Sequence, residues 1–282
     1  MPRKGGGTTG RISRGWALTK MTLRVIRKDK EVLIFPVLSG LITLLILGSF
    51  IGGVFLTVGF AGLDEGNAGW IMLALFVLFY FVSFFVAIFF NACVIGCAMI
   101  RMNGGDPTVS DGFRIARENI GRIVMWALFA ATVGIIIKAI QERVGFVGRM
   151  IMGAVGVAWT IVTYFVVPVL VYERLGPWKA VKRSAEILKR TWGEALVGNL
   201  GLGAIFVLLG FLGLLPIALG AYMGTIASIV IGVVVAVIYW LILGIVASVA
   251  QSVLVAALYR YATTGKVSEE FEDVSFARPF TT

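Results

Sequence analysis

Five long stretches of this chain carry no charged residue, and no other property of the sequence restricts its fold as tightly. They run from Val32 to Leu63, Gly66 to Ile100, Ile123 to Ile137, Met150 to Tyr172 and Ala195 to Tyr259. A helix needs about 20 apolar residues to cross the hydrocarbon core, and a charge at its centre costs several kcal/mol, so such windows mark membrane spans. The last window is about twice the length one span requires, and Pro216, Gly220 and Gly224 lie near its middle, where a turn is expected. Six spans follow, over about 32–61, 68–100, 121–139, 149–171, 195–219 and 226–259. Composition agrees: 59% hydrophobic residues, 14% charged and a mean hydropathy of +0.96 leave too little polar surface for a water-facing globule.

The third window is the shortest. Its 15 uncharged residues rise only about 22 Å, so the helix must begin upstream of Arg122 and let Lys138 snorkel outward at the far end. A re-entrant pair built from spans three and four is the alternative. The run Phe76 to Phe90 is aromatic enough for a strand, yet an open strand edge in lipid would leave backbone groups unpaired, so helix is expected. A β-barrel is excluded because these windows are apolar all round instead of alternating. The first window starts at Val32 and is too long for a cleavable signal, which makes it a retained first span.

The chain has 25 Lys and Arg against 15 Asp and Glu, with no histidine. Assigned to connections, 22 of the 25 basic residues fall on one side of the six spans and three, Lys138, Arg143 and Arg149, on the other. Under the positive-inside rule both termini are then cytoplasmic, in a multi-pass protein of the cell membrane.

Much of that charge projects onto helical faces. Segment 178–196 places Lys179, Lys182, Arg183, Glu186, Lys189, Arg190 and Glu194 within one arc, opposite Val181, Ala185, Leu188, Trp192 and Leu196, and an interfacial helix is expected over about 177–194, with Pro177 at its start. Segment 107–123 repeats the design with Arg114, Arg117, Glu118 and Arg122 opposite Phe113, Ala116, Ile120 and Ile123, the interfacial helix covering about 107–120. Segment 14–30 does so less cleanly, with Lys20, Arg24, Arg27 and Lys28 opposing Trp16, Leu23 and Ile26. Each basic helix leads into two spans. The expected architecture is therefore an all-α polytopic membrane protein of six spans with three cytoplasmic amphipathic interfacial helices, in a threefold repeat of layout. A flexible basic N-terminus (1–13) precedes one transmembrane helical domain (14–262), and a polar acidic tail (263–282) holding Glu269, Glu270, Glu272 and Asp273 follows it.

The twelve basic residues Lys20, Arg24, Arg27, Lys28, Arg114, Arg117, Arg122, Lys179, Lys182, Arg183, Lys189 and Arg190 form a candidate face for anionic lipid head groups or a negatively charged partner. The positive-inside rule alone accounts for most of this charge, and from sequence that account carries the greater weight. Nucleic acid is a poor partner, since no aqueous domain accompanies the basic residues.

Chemistry has few footholds. Without histidine, the commonest general base and nitrogen ligand are missing, and no acid lies inside a charge-free window, so neither catalysis nor a carboxylate proton relay is expected. Cys93 and Cys97 make a poor metal site by themselves, and small packing residues are the simpler reading. The glycine-rich stretches at Gly5–Gly10 and Thr264–Val267 lack the full phosphate-loop pattern. No cofactor is expected. Asn91, Asn199 and Gln251 are candidate intramembrane polar residues that line a solute path or, more simply, bond between helices. Gly48 with Gly52, and Gly220 with Gly224, would allow close helix approach within a bundle, a homo-oligomer or a complex with another membrane protein.

Three segments, Gly15–Gly40 (GWALTKMTLRVIRKDKEVLIFPVLSG), Phe89–Gly112 (FFNACVIGCAMIRMNGGDPTVSDG) and Val181–Asn199 (VKRSAEILKRTWGEALVGN), resemble in order a prokaryotic integral membrane family catalogued as domain of unknown function 6159. The resemblance implies a multi-span membrane protein of bacteria or archaea and transfers no activity, substrate or site residue. The expected function is a non-enzymatic membrane scaffold that binds lipids or partners; the alternative is a transporter or channel for a small neutral or anionic solute.

Overall fold

A computed structural model describes residues 22, 26–59 and 65–265 of the chain, with side chains throughout except at 57–59, 65–68, 194 and 197. Among these residues every element is helical and none is a strand. A 3₁₀ turn at Lys30–Leu33 opens onto α1 (Ile34–Gly59), followed by α2 (Glu65–Met102), α3 (Val109–Glu118), α4 (Ile120–Arg143) and α5 (Phe146–Val162). After a short helical and π-helical stretch over Val166–Glu173 come α6 (Pro177–Leu212), α7 (Leu215–Tyr222) and α8 (Ile226–Thr264). Among the described residues six segments are long and apolar enough to cross a membrane: Lys30–Leu56, Gly69–Met102, Ile120–Arg143, Phe146–Glu173, Gly198–Tyr222 and Ile226–Thr264. The aromatic run Phe76–Phe90 is helix, inside α2.

The short third window gains its length as expected. α4 starts at Ile120, before Arg122, and its 24 residues rise about 36 Å. Lys138 is exposed near its far end, with Nζ 6.0 Å from the Phe76 ring centre. At the other extreme α8 has 39 residues, roughly 58 Å of helix and far more than a core about 30 Å thick. Its two parts differ accordingly. Ile226 to Ile242 is mostly exposed apolar surface, whereas Val249 to Tyr259 is mostly buried in protein.

The chain divides into two compact units. One comprises residues up to Leu33, Cys97–Thr108 and Lys189 onward; the other comprises Ile34–Gly96 and Val109–Leu188. In the second, Phe35, Ile95, Ile123, Phe165, Val166, Val169 and Leu170 are fully buried, and Phe113 meets Phe35 and Phe90 edge-on at 5.5 and 6.0 Å. The fourth span breaks inside this unit, at Thr163–Phe165, ahead of Pro168. A break in lipid must find new partners for the freed backbone groups. Here the buried Phe165 N–H donates to Ser184 Oγ at 2.9 Å.

The first unit contains a hairpin of α7 and the preceding part of α6 against α8. Gly224, at φ 72°, makes the turn between spans five and six. Pro216 and Gly220, expected beside that turn, lie instead within α7, where Pro216 occupies the first turn and its missing N–H costs nothing. The chain between α6 and α7 breaks at Gly213–Leu214, and the neighbouring carbonyls are met from α8: Tyr239 Oη donates to Leu209 O at 2.7 Å and Trp240 Nε1 to Gly210 O at 2.9 Å. A Cβ at Gly220 would collide with Ser228 O, and one at Gly232 with Pro216 O, so the two helices touch backbone to backbone. Close approach thus rests on Gly220 and Gly232. Gly48 and Gly52, expected at a helix contact from their spacing, face open space, with nothing within 4 Å of where a Cβ would stand.

Candidate functional site

The charged residues are tied to the points where helices change direction. Asn119 separates α3 from α4 with a non-helical backbone, φ −108° and ψ 10°. Its side chain is buried and serves both helices: Nδ2 donates to Ile115 O at 2.9 Å, while Oδ1 accepts from Arg122 Nη1 at 3.0 Å. Asn119 O accepts from the N–H groups of Arg122 and Ile123, both at 3.0 Å, as a residue capping a helix start does. Arg122 Nε then donates to Arg174 O at 3.0 Å. That contact holds Arg174 in the left-handed region at φ 55°, a conformation that costs a non-glycine residue roughly 1–2 kcal/mol.

Within α6 the same backbone break recurs at Thr191, φ −119° and ψ 17°, again with a buried polar side chain. Ahead of the first span, Asp29 lies between helical residues 26–28 and the 3₁₀ turn, and its carbonyl accepts from Val32 N–H at 3.1 Å. Asp29 is 6% exposed. An isolated buried carboxylate is costly, and here Arg101 answers it, with Nε donating to Oδ2 at 2.6 Å and Nη2 to Oδ1. Arg101 also reaches the exposed Asp106. Neither Asp29 nor Arg101 was singled out by sequence reasoning. The signal was a lone acid inside the basic run Arg27–Lys28–Asp29–Lys30, just ahead of a span.

Of the twelve candidate basic residues, Lys20 and Arg24 lie outside the described residues, as do the N-terminal segment and the acidic tail. Several of the others are engaged within the protein. Arg114 is held by Asp111 at 2.9 Å and Glu118 at 3.6 Å, Arg122 by the contacts above, and Arg183 by Glu173 at 2.9 Å and Glu186 at 3.3 Å. The Asp111 contact raises the affinity of Arg114 for its proton, and Glu173 does the same for Arg183 against the opposing effect of burial. Both stay cationic, with the charge largely balanced by their own carboxylates.

Arg27, Lys28, Arg117, Lys179, Lys182, Lys189 and Arg190 are exposed, Lys28 with an interaction of its own. Lys182 Nζ lies 5.5 Å from the Trp178 ring centre, a cation–π contact on the exposed side of α6. On the opposite side Ala180, Val181, Ser184, Ile187 and Leu188 are buried. α3 divides likewise, with Arg114, Arg117 and Glu118 exposed and Gly112 and Ala116 buried.

Asn91 and Gln251 are half-buried and engaged in polar contacts, and Asn199 is exposed near the start of the fifth span. A crevice lined by Ile26, Asp29, Val32, Ala98, Val249 and Val253 is too tight to admit a water molecule. Cys93 and Cys97 are buried free thiols, and Cys97 Sγ lies 3.6 Å from Thr108 O. Among the described residues no three His, Cys, Asp or Glu side chains are grouped as metal ligands.

Helices of this number, length and apolarity define a multi-span, all-helical membrane protein. The chain belongs to the Family of unknown function (DUF6159), whose profile matches residues 69–269. No curated protein matches it.

Proposed function

We infer that the protein is a non-enzymatic membrane scaffold that gathers anionic lipid, or an acidic partner, on a basic cytoplasmic face. In this reading both termini are cytoplasmic, the membrane is the cell membrane, and α3 and the first part of α6 lie along the interface. The observation that carries it is the sidedness of α6: Lys179, Lys182, Lys189 and Arg190 are exposed while Ala180, Val181, Ser184, Ile187 and Leu188 are buried. Snorkelling cations above a buried apolar stripe are what a helix at a head-group surface requires. The alternative is a transporter or channel with a solute path past Asn91, Asn199 or Gln251.

The test is native mass spectrometry of the protein released from nanodiscs of mixed phosphatidylcholine and phosphatidylglycerol. Wild type is expected to retain phosphatidylglycerol preferentially, and the variant with Lys179, Lys182, Lys189 and Arg190 changed to Gln to lose part of that preference. Equal retention of the two lipids by wild type would sink the scaffold reading, and solute uptake by proteoliposomes would favour transport.

A further inference from the structure

Asp29, Asn119 and Thr191 are buried polar residues placed where a basic helix gives way to a span, and the residues around them match position by position. Seven residues earlier stand Thr22, Gly112 and Ser184, all buried. Three residues earlier stand Ile26, Ala116 and Leu188, again all buried. Positions spaced by four and then three residues share one face of a helix, so the same face is turned inward in α3 and α6, and the described residues Thr22, Ile26 and Asp29 keep the same spacing of burial. The two residues directly before the joint are exposed every time: Arg27 and Lys28, Arg117 and Glu118, Lys189 and Arg190. The two directly after it are exposed as well: Lys30 and Glu31, Ile120 and Gly121, Trp192 and Gly193.

The backbone follows the same plan. Asn119 and Thr191 differ by only about ten degrees in φ and in ψ. Upstream, a left-handed residue stands three positions before the proline that precedes or starts the basic helix, Gly104 before Pro107 and Arg174 before Pro177. These agreements of burial, exposure and torsion are independent of the net charge that the positive-inside rule explains.

We propose that the three joints are equivalent phosphate sites, in which Arg27 with Lys28, Arg117, and Lys189 with Arg190 each hold the head group of an anionic phospholipid. The site deepens the scaffold reading and rests on it. Depth is what favours lipid over a soluble acidic protein. The first and third apolar segments begin at Lys30 and Ile120, one residue past their joints, and the fifth begins at Gly198, seven past Thr191. A basic pair that close to the start of a span stands at head-group level, where each Lys or Arg contributes about 1 kcal/mol of attraction to an anionic leaflet. Exposed Ile120 and Trp192, directly after their joints, supply the apolar contact that such a position favours. The second site is the weakest of the three, because Glu118 takes the place held by Lys28 and Arg190.

The experiment counts phosphatidylglycerol retained on the full chain after release from mixed nanodiscs. Arg27→Gln with Lys28→Gln, and Lys189→Gln with Arg190→Gln, are each expected to lose about one tightly held lipid. Arg117→Gln loses less, and Glu118→Lys gains one. Lys179→Gln with Lys182→Gln removes the same charge from exposed places away from the joint and is expected to leave the tight lipids in position. All these substitutions are on exposed side chains, and unchanged thermal unfolding in phosphatidylcholine nanodiscs confirms that the fold is intact. If the Lys179 and Lys182 pair costs as many lipids as the joint pairs while wild type still prefers phosphatidylglycerol, the joint sites are wrong and the scaffold reading stands. If wild type shows no preference, both fail. Loss of poly-glutamate binding by the joint variants, with retained lipid unchanged, would assign the sites to an acidic protein and overturn the proposal.

Discussion

Two regions of one unit are held together by opposite means. At the α7–α8 hairpin, Gly220 and Gly232 bring backbone against backbone, and the surrounding Leu219, Ile226 and Ile231 are exposed apolar side chains. Around Asp29 the contact is ionic, a buried carboxylate gripped by Arg101. Lipid tails are as apolar as leucine, so side-chain burial gives helices in the membrane little reason to associate, and close approach through glycine gains importance. Where a charge is taken out of water, the geometry of its partner dominates instead. The hairpin should therefore be sensitive to added volume and indifferent to charge, and the Asp29 junction the reverse.

The largest effect is expected at the junction. Asp29→Ala takes from the Arg101 guanidinium its buried partner and leaves it beside the exposed Asp106, and breaking a buried pair in this way costs about 3 kcal/mol. The double change Asp29→Leu with Arg101→Met should recover most of that loss, because a matched apolar pair leaves no buried charge behind. Thermal unfolding in nanodiscs reads both; a double variant as unstable as the single one would show that packing, and not charge, governs the site.

Next comes the hairpin. Gly232→Ala inserts a methyl against Pro216 O and is expected to cost about 1–3 kcal/mol, by overpacking. Gly48→Ala, which points a methyl into open space, should cost nothing and gain a few tenths of a kcal/mol from helix propensity. Equal melting temperatures for these two variants would erase the contrast between the hairpin and an ordinary lipid-facing helix. Tyr239→Phe is smaller again: it orphans Leu209 O beside the α6–α7 break and should cost roughly 0.6 to 1.7 kcal/mol, the range of hydrogen bonds between membrane helices. Faster hydrogen exchange confined to the residues around Gly213 would accompany it.

The same contrast explains what could be read from the sequence. Six spans were legible because an uncharged stretch such as Ala195–Tyr259 is a local property, additive along the chain and independent of its neighbours. The start of α4 before Arg122 followed from length alone. Burial of Asp29 was not legible, since it depends on an arginine 72 positions further on. Spacing identified Gly220 but also Gly48 and Gly52, because a small residue reports only its own size and not what stands opposite. The missing partner was Gly232. Arg114 and Arg183 were counted with the basic face for the same reason: helical projection shows which side a cation occupies but not the carboxylates that balance it, Asp111 and Glu173 among them.

The smallest predicted effect concerns Arg174, which closes the fourth span in a left-handed conformation that most side chains resist. Gly104 occupies the corresponding place after the second span without that cost. Arg174→Gly keeps the carbonyl that accepts from Arg122 Nε, so the joint at Asn119 retains its tie, and the strain is relieved. Against this stands the greater freedom of glycine in the unfolded chain, and the balance is a gain of about 0.5 kcal/mol. A small rise in melting temperature for Arg174→Gly, together with a fall for Arg174→Val, whose branched side chain fits the left-handed region worst, is the expected pair of results. A fall for both would mean that the Arg174 side chain, and not its carbonyl, holds the turn, and the likeness between the Gly104 and Arg174 connections would be lost.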